Sequence, residues 1–278
     1  MDRHEGPEEP EGRDEGTEGG VGIDEGVPNV ARIYDYLLGG KDHYAADRAA
    51  AERLLEAAPE TAVTVRENRA FLRRAVTRLA RAGIRQFVDI GAGLPTQANV
   101  HEVAQRVAPD ARVVYADIDP VVVAHGRALL ASAPGVTVVE GDVREPERIL
   151  ADPAARELID PTEPVAVLLL AVLHFVTDKE DPAGIVARLH AAMAPGSVLV
   201  ISHVTSEGNR PEAAGTARSV YDRSTASIAL RTREEIAALA GDFTWEEPGL
   251  VYAPEWRPDE RRELDPAATF LFAGTARR

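Results

Sequence analysis

The chain has 278 residues, 45% of them hydrophobic, which suffices for one large domain or for one domain with a small appendage. It contains no cysteine, which excludes disulfides, thiolate metal sites and cysteine nucleophiles. The formal net charge of −15 argues against a broad phosphate-binding surface, and therefore against long nucleic acids as partners. Because no apolar run is long enough to span a bilayer and the acidic N-terminus is unlike a secretory signal, we expect a cytoplasmic protein without a membrane partner.

Residues 1–26 form the most biased part of the chain. They contain ten acidic residues and two arginines, with almost no apolar side chain. Such a segment cannot bury enough surface to order itself, so the composition predicts a disordered, solvated acidic tail.

Residues 27–83 are predicted to form an N-terminal helical cap. Asn29 can cap a first helix, whose apolar residues recur at the spacing of one buried face. Two more helices are predicted over residues 45–58 and 61–82. The third helix carries Arg66, Arg69 and Arg73 on a face away from its apolar stripe. We expect Arg73 to be solvated. For Arg66 and Arg69 the sequence does not decide between a solvated position and a role at the site, because this helix leads directly to a glycine loop.

From residue 84 onward, short apolar runs alternate with helical segments. The strands are predicted at Gln86–Ile90, Arg112–Ala116, Val136–Glu140, Val165–Leu170 and Ser197–His203. This alternation indicates an α/β fold with a doubly wound, mostly parallel sheet. Short strand candidates lie at 243–246 and 250–252, and a final strand over 269–276 is expected to pair antiparallel. Within 206–230 we predict only a helix from about Pro211.

A glycine loop follows the first of these strands. Gly91 and Gly93 permit a tight turn and close approach of a ligand to the backbone, and a helix follows them. A dinucleotide-binding loop would carry a third glycine where Thr96 stands, after Pro95, so a pyrophosphate would fit poorly. The loop therefore favours a cofactor without phosphates, although a purely structural turn stays open.

Acidic side chains follow the next two strands, at the edge where open α/β sheets bind ligands. Asp117 is placed to accept hydrogen bonds from both hydroxyls of a ribose. Asp119 precedes Pro120 and is either a helix cap or a ligand. Asp142 could accept an adenine amino group, with Val143 beside the ring. Residues 170–175 follow the fourth strand and are the fourth candidate binding segment at this edge of the sheet.

These residues carry a resemblance. The segments VDIGAG, YADID, GDVR and LAVLHF are similar to the motif series of class I S-adenosylmethionine-dependent methyltransferases. Over residues 27–278, segments such as PNVARIYDYLLGGKDHYAADR, ENRAFLRRAV and GAGLPTQANVHEVAQ resemble a family of proposed methyltransferases common in actinomycetes. Ala92 and Ile118 depart from that family's usual residues. The resemblance implies a seven-stranded sheet with its last strand antiparallel, an N-terminal helical cap over 27–83 and a Rossmann-like domain over 84–278.

The resemblance also implies a function and a site. The expected cofactor is S-adenosyl-L-methionine. The acceptor is not implied by the resemblance, but the acidic charge and the sequence Leu-His-Phe after the fourth strand, in place of the Asn/Asp-Pro-Pro-aromatic turn of many nucleic-acid methyltransferases, favour a small molecule. The cofactor-binding residues it implies are Arg32, Lys41, Asp89, Gly91, Ala92, Gly93, Leu94, Asp117, Ile118, Asp119, Gly141, Asp142, Val143, Ala171 and Val172. Residues 28–44 are expected to form a lid, with Arg32, Lys41 or Asp42 at the methionine end of the cofactor.

Two residues are expected to be catalytic. Tyr36 could face the acceptor, and His174 could be a general base, although a structural role for His174 stands equally. His203 is a weaker candidate for the base. For Tyr34, core packing is the favoured interpretation. The seven histidines show no metal-ligand spacing, so no metal is expected.

Two other functions stay open from the sequence. A protein that senses S-adenosylmethionine or S-adenosylhomocysteine without turnover would keep the same motifs. A nicotinamide-dependent oxidoreductase would share the strand–glycine–helix unit, but Thr96 and the antiparallel tail argue against it.

Overall fold

A mixed β-sheet lies at the centre of the fold. The computed structural model describes residues 24–95, 99–130, 132–260 and 263–278. The strands are β1 (Gln86–Ile90), β2 (Arg112–Asp117), β3 (Val136–Glu140), β4 (Val165–Leu170), β5 (Val198–Val204), β6 (Thr244–Trp245), β7 (Val251–Tyr252) and β8 (Leu271–Arg277). Their order is β3-β2-β1-β4-β5-β8-β6, and the five strands from β3 to β5 are parallel. The predicted α/β fold with a mostly parallel sheet is confirmed.

The antiparallel end of the sheet explains how eight strands fill seven positions. β8 pairs antiparallel with β5 along its whole length. β6 and β7 also pair antiparallel with β8, at opposite ends of it, and must occupy its other edge. They therefore share one position. The predicted seven-stranded sheet with an antiparallel last strand is thus observed with a divided edge strand.

Helices cover both faces of this sheet. They are α1 (Val30–Leu37), α2 (Ala45–Ala57), α3 (Thr61–Arg81), α4 (Val100–Val107), α5 (Pro120–Leu130), α6 (Pro146–Ala151), α7 (Pro153–Leu158), α8 (Pro182–Ala192), α9 (Pro211–Tyr221) and α10 (Arg233–Ala238). Alternate strand residues point to opposite faces, so Phe87 packs in one core with α3 whereas Val88 packs in a second core with α8. Among the described residues, no helix has the length and apolar character needed to cross a membrane.

The N-terminal cap is fastened to this layered core. Asn29 caps α1 as predicted, since its side chain accepts from the backbone N–H groups of Ala31 and Arg32 at 2.8 and 3.2 Å. A buried ion pair of 2.8 Å between Arg32 Nε and Asp47 Oδ2 joins α1 to α2. α3 is long enough to cross from the carboxyl edge of the sheet to its amino edge, because 21 residues of helix rise about 30 Å.

Candidate functional site

A cavity of about 960 Å³ lies at the carboxyl ends of the parallel strands, beneath α1, α3 and α9. Its volume is near the upper end for a small-molecule site, which leaves room for more than one ligand. The structure brings most of the predicted site residues together in its wall: Arg32, Asp89, Gly91, Ala92, Gly93, Leu94, Asp117, Ile118, Asp119, Gly141, Asp142, Val143, Ala171, Val172 and His174. Tyr36 and Lys41 are not among the residues that line it.

The glycine loop is shaped by close packing against the end of β4. Gly91 has φ of 72°, and a Cβ atom there would lie 2.5 Å from Cγ2 of Val172. A side chain is therefore excluded by both conformation and contact. Gly93 also has positive φ, at 66°, but a Cβ atom there would meet nothing within 4 Å. Its open side faces the cavity wall, and Thr96 lies outside the described residues.

Asp117 holds this loop in place from β2. One carboxylate oxygen accepts from Gly93 N at 2.8 Å and the other from Asp119 N at 2.9 Å. Burial raises the pKa of Asp117, while these backbone hydrogen bonds oppose the rise. A carboxylate has about four acceptor positions, more than these backbone N–H groups occupy, so Asp117 can still accept from a ligand.

Asp119 serves the structure in two ways. One of its oxygens accepts from Val121 N at 2.8 Å, so it caps the start of α5. The other accepts from the side-chain amide of Asn29, which connects α5 to the lid. The sequence left capping and ligand binding open for Asp119, and the capping contact is present.

A buried carboxylate and a guanidinium lie beside the loop. Burial raises the pKa of Asp89 to about 7, although the nearby charge of Arg69 lowers it. Arg69 also lines the cavity, with its guanidinium carbon 5.9 Å from the centroid of the Tyr34 ring. The sequence did not settle the role of Arg69, because helical spacing identifies its face but not that α3 passes over the strand ends.

The end of β3 carries a charged network at the rim. Arg144 Nε donates to both oxygens of Asp142, at 2.9 and 2.8 Å, and Arg144 Nη1 reaches Glu180 at 2.6 Å. The Asp142 carboxylate, expected to meet an adenine amino group, is therefore already engaged by a partly exposed arginine. Gly141 and Val143 line the cavity beside it.

The end of β4 has an unusual backbone held by a polar chain. Ala171 has φ of 58°, a conformation that costs a non-glycine residue about 1 to 3 kcal/mol and persists only where its surroundings impose it. Its N–H donates to Ser202 Oγ at 2.9 Å, and Ser202 Oγ donates to Asn68 Oδ1 at 2.6 Å. Asn68 Nδ2 then donates to the Tyr34 hydroxyl at 2.9 Å. This chain connects the lid to the strand end, so Tyr34 does more than fill the core.

Two buried histidines, one just after β4 and one near the end of β5, have hydrogen bonds that fix the positions of their ring protons. Arg231 donates to His203 Nε2 at 2.9 Å, so His203 carries its proton on Nδ1 and donates to the Val204 carbonyl at 2.7 Å. Burial lowers its pKa to about 3. His203 is therefore a neutral structural residue. This argues against a role for His203 as the general base, for which the sequence made it a weaker candidate than His174.

His174 also stays neutral near pH 7. Burial, followed by the charges of His203 and Arg231, lowers its pKa well below the ordinary value. The Val204 N–H points at Nδ1 from 3.4 Å, and a backbone N–H can only donate. The remaining proton of the ring then lies on Nε2. This tautomer presents a donor, which favours binding by His174 over proton abstraction.

The segment that the sequence left unplaced supplies the opposite wall. α9 confirms the helix predicted from about Pro211, and its last residue, Tyr221, packs against Phe175 with ring centroids 5.2 Å apart. Burial raises the pKa of Tyr221 well above its ordinary value. No group in the described part of the chain hydrogen-bonds the Tyr221 hydroxyl, which lines the cavity.

The structure gives three lid residues positions that differ from the expected ones. The hydroxyl of Tyr36 donates to Glu52 at 3.2 Å, away from the cavity, because α2 packs on that side of α1. Lys41 is exposed. Arg32 does line the cavity, but its Nε is committed to Asp47 and its Nη2 donates to the Val27 carbonyl at 3.0 Å. Tyr36 and Lys41 are therefore not brought to the site.

Comparisons with known proteins identify the family and the fold. Residues 17–278 match the family described as S-adenosyl methyltransferase. A proposed methyltransferase from Thermobifida fusca is 44% identical, with a TM-score of 0.86 over 91% of this chain and 96% of that one. A DUF574-family protein from Streptomyces avermitilis is 40% identical, with a TM-score of 0.85 over 91% of this chain and 98% of that one. A search of curated proteins found no match.

The family match covers nearly all of the chain, including the glycine loop, the acidic strand ends and the helical cap. The two solved structures share the fold over almost their whole length, at identities that indicate common descent. The chain therefore belongs to the S-adenosyl methyltransferase family and is a methyltransferase.

Proposed function

We propose that this methyltransferase transfers a methyl group from S-adenosylmethionine to an uncharged, largely apolar small molecule. The observation that carries the proposal is the division of one cavity into two chemically different halves. The cofactor half lies at the ends of β1, β2 and β3 and contains Asp89, Asp117, Asp119 and Asp142. The acceptor half lies at the ends of β4, β5 and β8, and we define it by the uncharged residues His174, Phe175, Val204, Tyr221 and Leu271.

The cofactor half fits the polar groups of S-adenosylmethionine. Asp117 retains acceptor capacity beyond its backbone hydrogen bonds, which we assign to the ribose hydroxyls. Asp89 is a buried carboxylate whose pKa of about 7 reflects the cost of holding a charge in a buried position, a cost that the nearby charge of Arg69 offsets only in part. An amino acid ammonium would relieve that cost, and the Arg69 guanidinium on the same wall suits the accompanying carboxylate.

The acceptor half supports transfer through positioning and exclusion of water. S-adenosylmethionine supplies an electrophilic methyl group on a sulfonium, so an aligned nucleophile in a dry pocket needs little further activation. The aromatic and aliphatic walls exclude water there. His174 Nε2–H and the Tyr221 hydroxyl are the polar groups that we assign to orienting the acceptor. An ionised acceptor would be disfavoured, because this half offers it no opposite charge.

Binding calorimetry followed by labelling tests this function. The protein should bind S-adenosylmethionine and S-adenosylhomocysteine, and it should not bind NAD. With methyl-labelled S-adenosylmethionine and a fractionated cell extract, label should enter neutral, solvent-extractable small molecules. Asp117→Asn is the matched control, since it should abolish labelling while leaving the acceptor half intact.

Two results would contradict the proposal. Label that entered only nucleic acid, protein or ionised metabolites would overturn the acceptor class. Tight cofactor binding with no labelling in any fraction, at protein concentrations that exceed the cofactor's dissociation constant, would instead support a sensor.

A further inference from the structure

A second concavity, of about 680 Å³, lies far from the cofactor cavity. It is formed by the last part of α3, the last turn of α4 and residues 256–259, and we call it the arginine groove. Five exposed arginines line it: Arg73, Arg78, Arg81, Arg106 and Arg257. α3 ends just before β1 begins and α4 ends just before β2 begins, so the groove is at the amino edge of the sheet.

The charge of the arginine groove is not balanced within the described part of the chain. None of its five exposed arginines forms an ion pair with a carboxylate there, and Asp259 is the one acidic residue among the lining residues. The C-terminal ends of α3 and α4 favour Arg78, Arg81 and Arg106, but each helix end supplies only about half a negative charge. Five guanidinium groups therefore face one groove on a protein whose formal net charge is −15.

The floor of the groove is held rigidly. Arg74 is buried beneath it, and its guanidinium donates to the carbonyls of Trp256 and Ala253 at 2.9 and 2.7 Å. Trp256 is fully buried and packs edge-on against Phe71 of α3, with ring centroids 5.0 Å apart. Residues 253–256 are thereby fixed to α3, and the exposed arginines sit on a shared, ordered support.

We propose that the arginine groove binds residues 1–23, the acidic N-terminal segment of the same chain. This segment carries eight acidic residues and two arginines, so its charge complements the groove. The segment is tethered, which gives it a high effective concentration that a free anion would lack. The composition alone predicted a solvated acidic tail. The arginine groove adds a positively charged surface to which the negative charge of this segment can bind.

The length of the segment is sufficient to reach the groove. Residue 24, where the described chain begins, lines the cofactor cavity, as does the first half of α3. From Arg69, which also lines that cavity, to Arg81 in the groove, α3 rises about 18 Å. Twenty-three residues can span up to about 75 Å, so the segment can follow α3 to the groove and lie within it.

Photo-crosslinking can test this docking, because the chain has no cysteine and a single introduced one can be labelled cleanly. A benzophenone placed on Thr17→Cys in the full-length protein would be activated, and the adducts mapped by mass spectrometry. We expect adducts concentrated on residues 73–82, 103–106 and 256–260, in the monomer. They should fall at least about fivefold in about 0.5 M NaCl, since exposed ion pairs are screened.

A pair of charge-reversal variants makes the test specific. Arg78→Glu with Arg106→Glu should reduce the groove adducts by at least about fivefold. Arg218→Glu with Arg223→Glu changes net charge equally at exposed positions outside both cavities, and it should leave the adducts unchanged. If the first variant fails to fold, Arg78→Gln with Arg106→Gln replaces it. Adducts spread over the surface, adducts unaffected by the groove variant, or adducts found only in cross-linked dimers would each overturn the proposal.

Discussion

The two halves of the strand-end cavity are built in different ways. The cofactor half is made by residues at the carboxyl ends of β1, β2 and β3 and in the turns that follow them, so each strand end contributes a short local motif. The acceptor half brings together residues as distant in sequence as His174, Tyr221 and Leu271. The first half is therefore specified by strand ends that any open α/β sheet aligns, whereas the second depends on where the connecting segments pack.

The largest effect should come from removing the anchor of the acceptor half. Arg231 is buried and donates to the carbonyls of Leu173 and Val176 and to His203 Nε2, at 3.0, 2.8 and 2.9 Å. Arg231→Met would leave these acceptors without their donor, so the free energy of unfolding should fall by about 4 kcal/mol in urea titrations.

Asp178 provides the control for that variant. It also pairs with Arg231, at 2.7 Å, but its side chain is 88% exposed. Asp178→Asn should therefore cost less than about 1 kcal/mol. Equal losses in the two variants would show that the carbonyl contacts do not anchor the segment that carries His174.

The same contrast explains what the sequence could predict. Continuous apolar runs such as Val165–Leu170 gave the strands, and the rule for strand ends placed Asp117 and Gly91 correctly at the cavity. Tyr36 was expected to face the acceptor but does not line the cavity, because helical spacing separates buried from exposed faces without showing that α2 covers one flank of α1. Tyr221 could not be found at all, since its position depends on how the end of α9 packs against Phe175.

Within the cofactor half, substitution of Asp117 should reduce cofactor affinity the most. Asp117→Asn weakens charge-assisted hydrogen bonds to the glycine loop and to the proposed ribose hydroxyls, so affinity for S-adenosylhomocysteine should fall about 100-fold, or about 3 kcal/mol. In Asp142→Asn the lost carboxylate was already paired with Arg144, and a loss of only about threefold is expected. Calorimetry would contradict the assignment if both variants lost affinity equally.

The titration of Asp89 in the cofactor half should make the protein's free energy of unfolding depend on pH. The folded-state pKa of about 7 is above the ordinary value of about 3.9, so the folded protein binds this proton more tightly than the unfolded chain does. Stability from this group is therefore full below about pH 4 and is lost as the pH rises to about 7. Between pH 6 and pH 8 the ligand-free protein should lose about 1.4 kcal/mol from this group.

Asp89→Asn separates that effect from other titrations. The variant should lose about 1.4 kcal/mol less than the wild type between pH 6 and pH 8 in urea unfolding, because every other group titrates in both proteins. Its affinity for S-adenosylmethionine should fall about tenfold, since the amide cannot neutralise an ammonium. Parallel stability profiles for the two proteins would show that Asp89 does not carry a raised pKa.

The smallest effect should be the most selective for the acceptor half. The Tyr221 hydroxyl has no hydrogen-bond partner in the described part of the chain, so Tyr221→Phe should change stability by less than about 0.5 kcal/mol. If that hydroxyl orients the acceptor, KM for a neutral acceptor should rise about fivefold, as expected for one neutral hydrogen bond, with cofactor affinity unchanged. Tyr34→Phe is the matched comparison, because its hydroxyl is already bonded to Asn68 and should cost about 1 kcal/mol of stability instead. A KM change in Tyr34→Phe but not in Tyr221→Phe would contradict this assignment. It would indicate that the acceptor binds near α1 and not near α9.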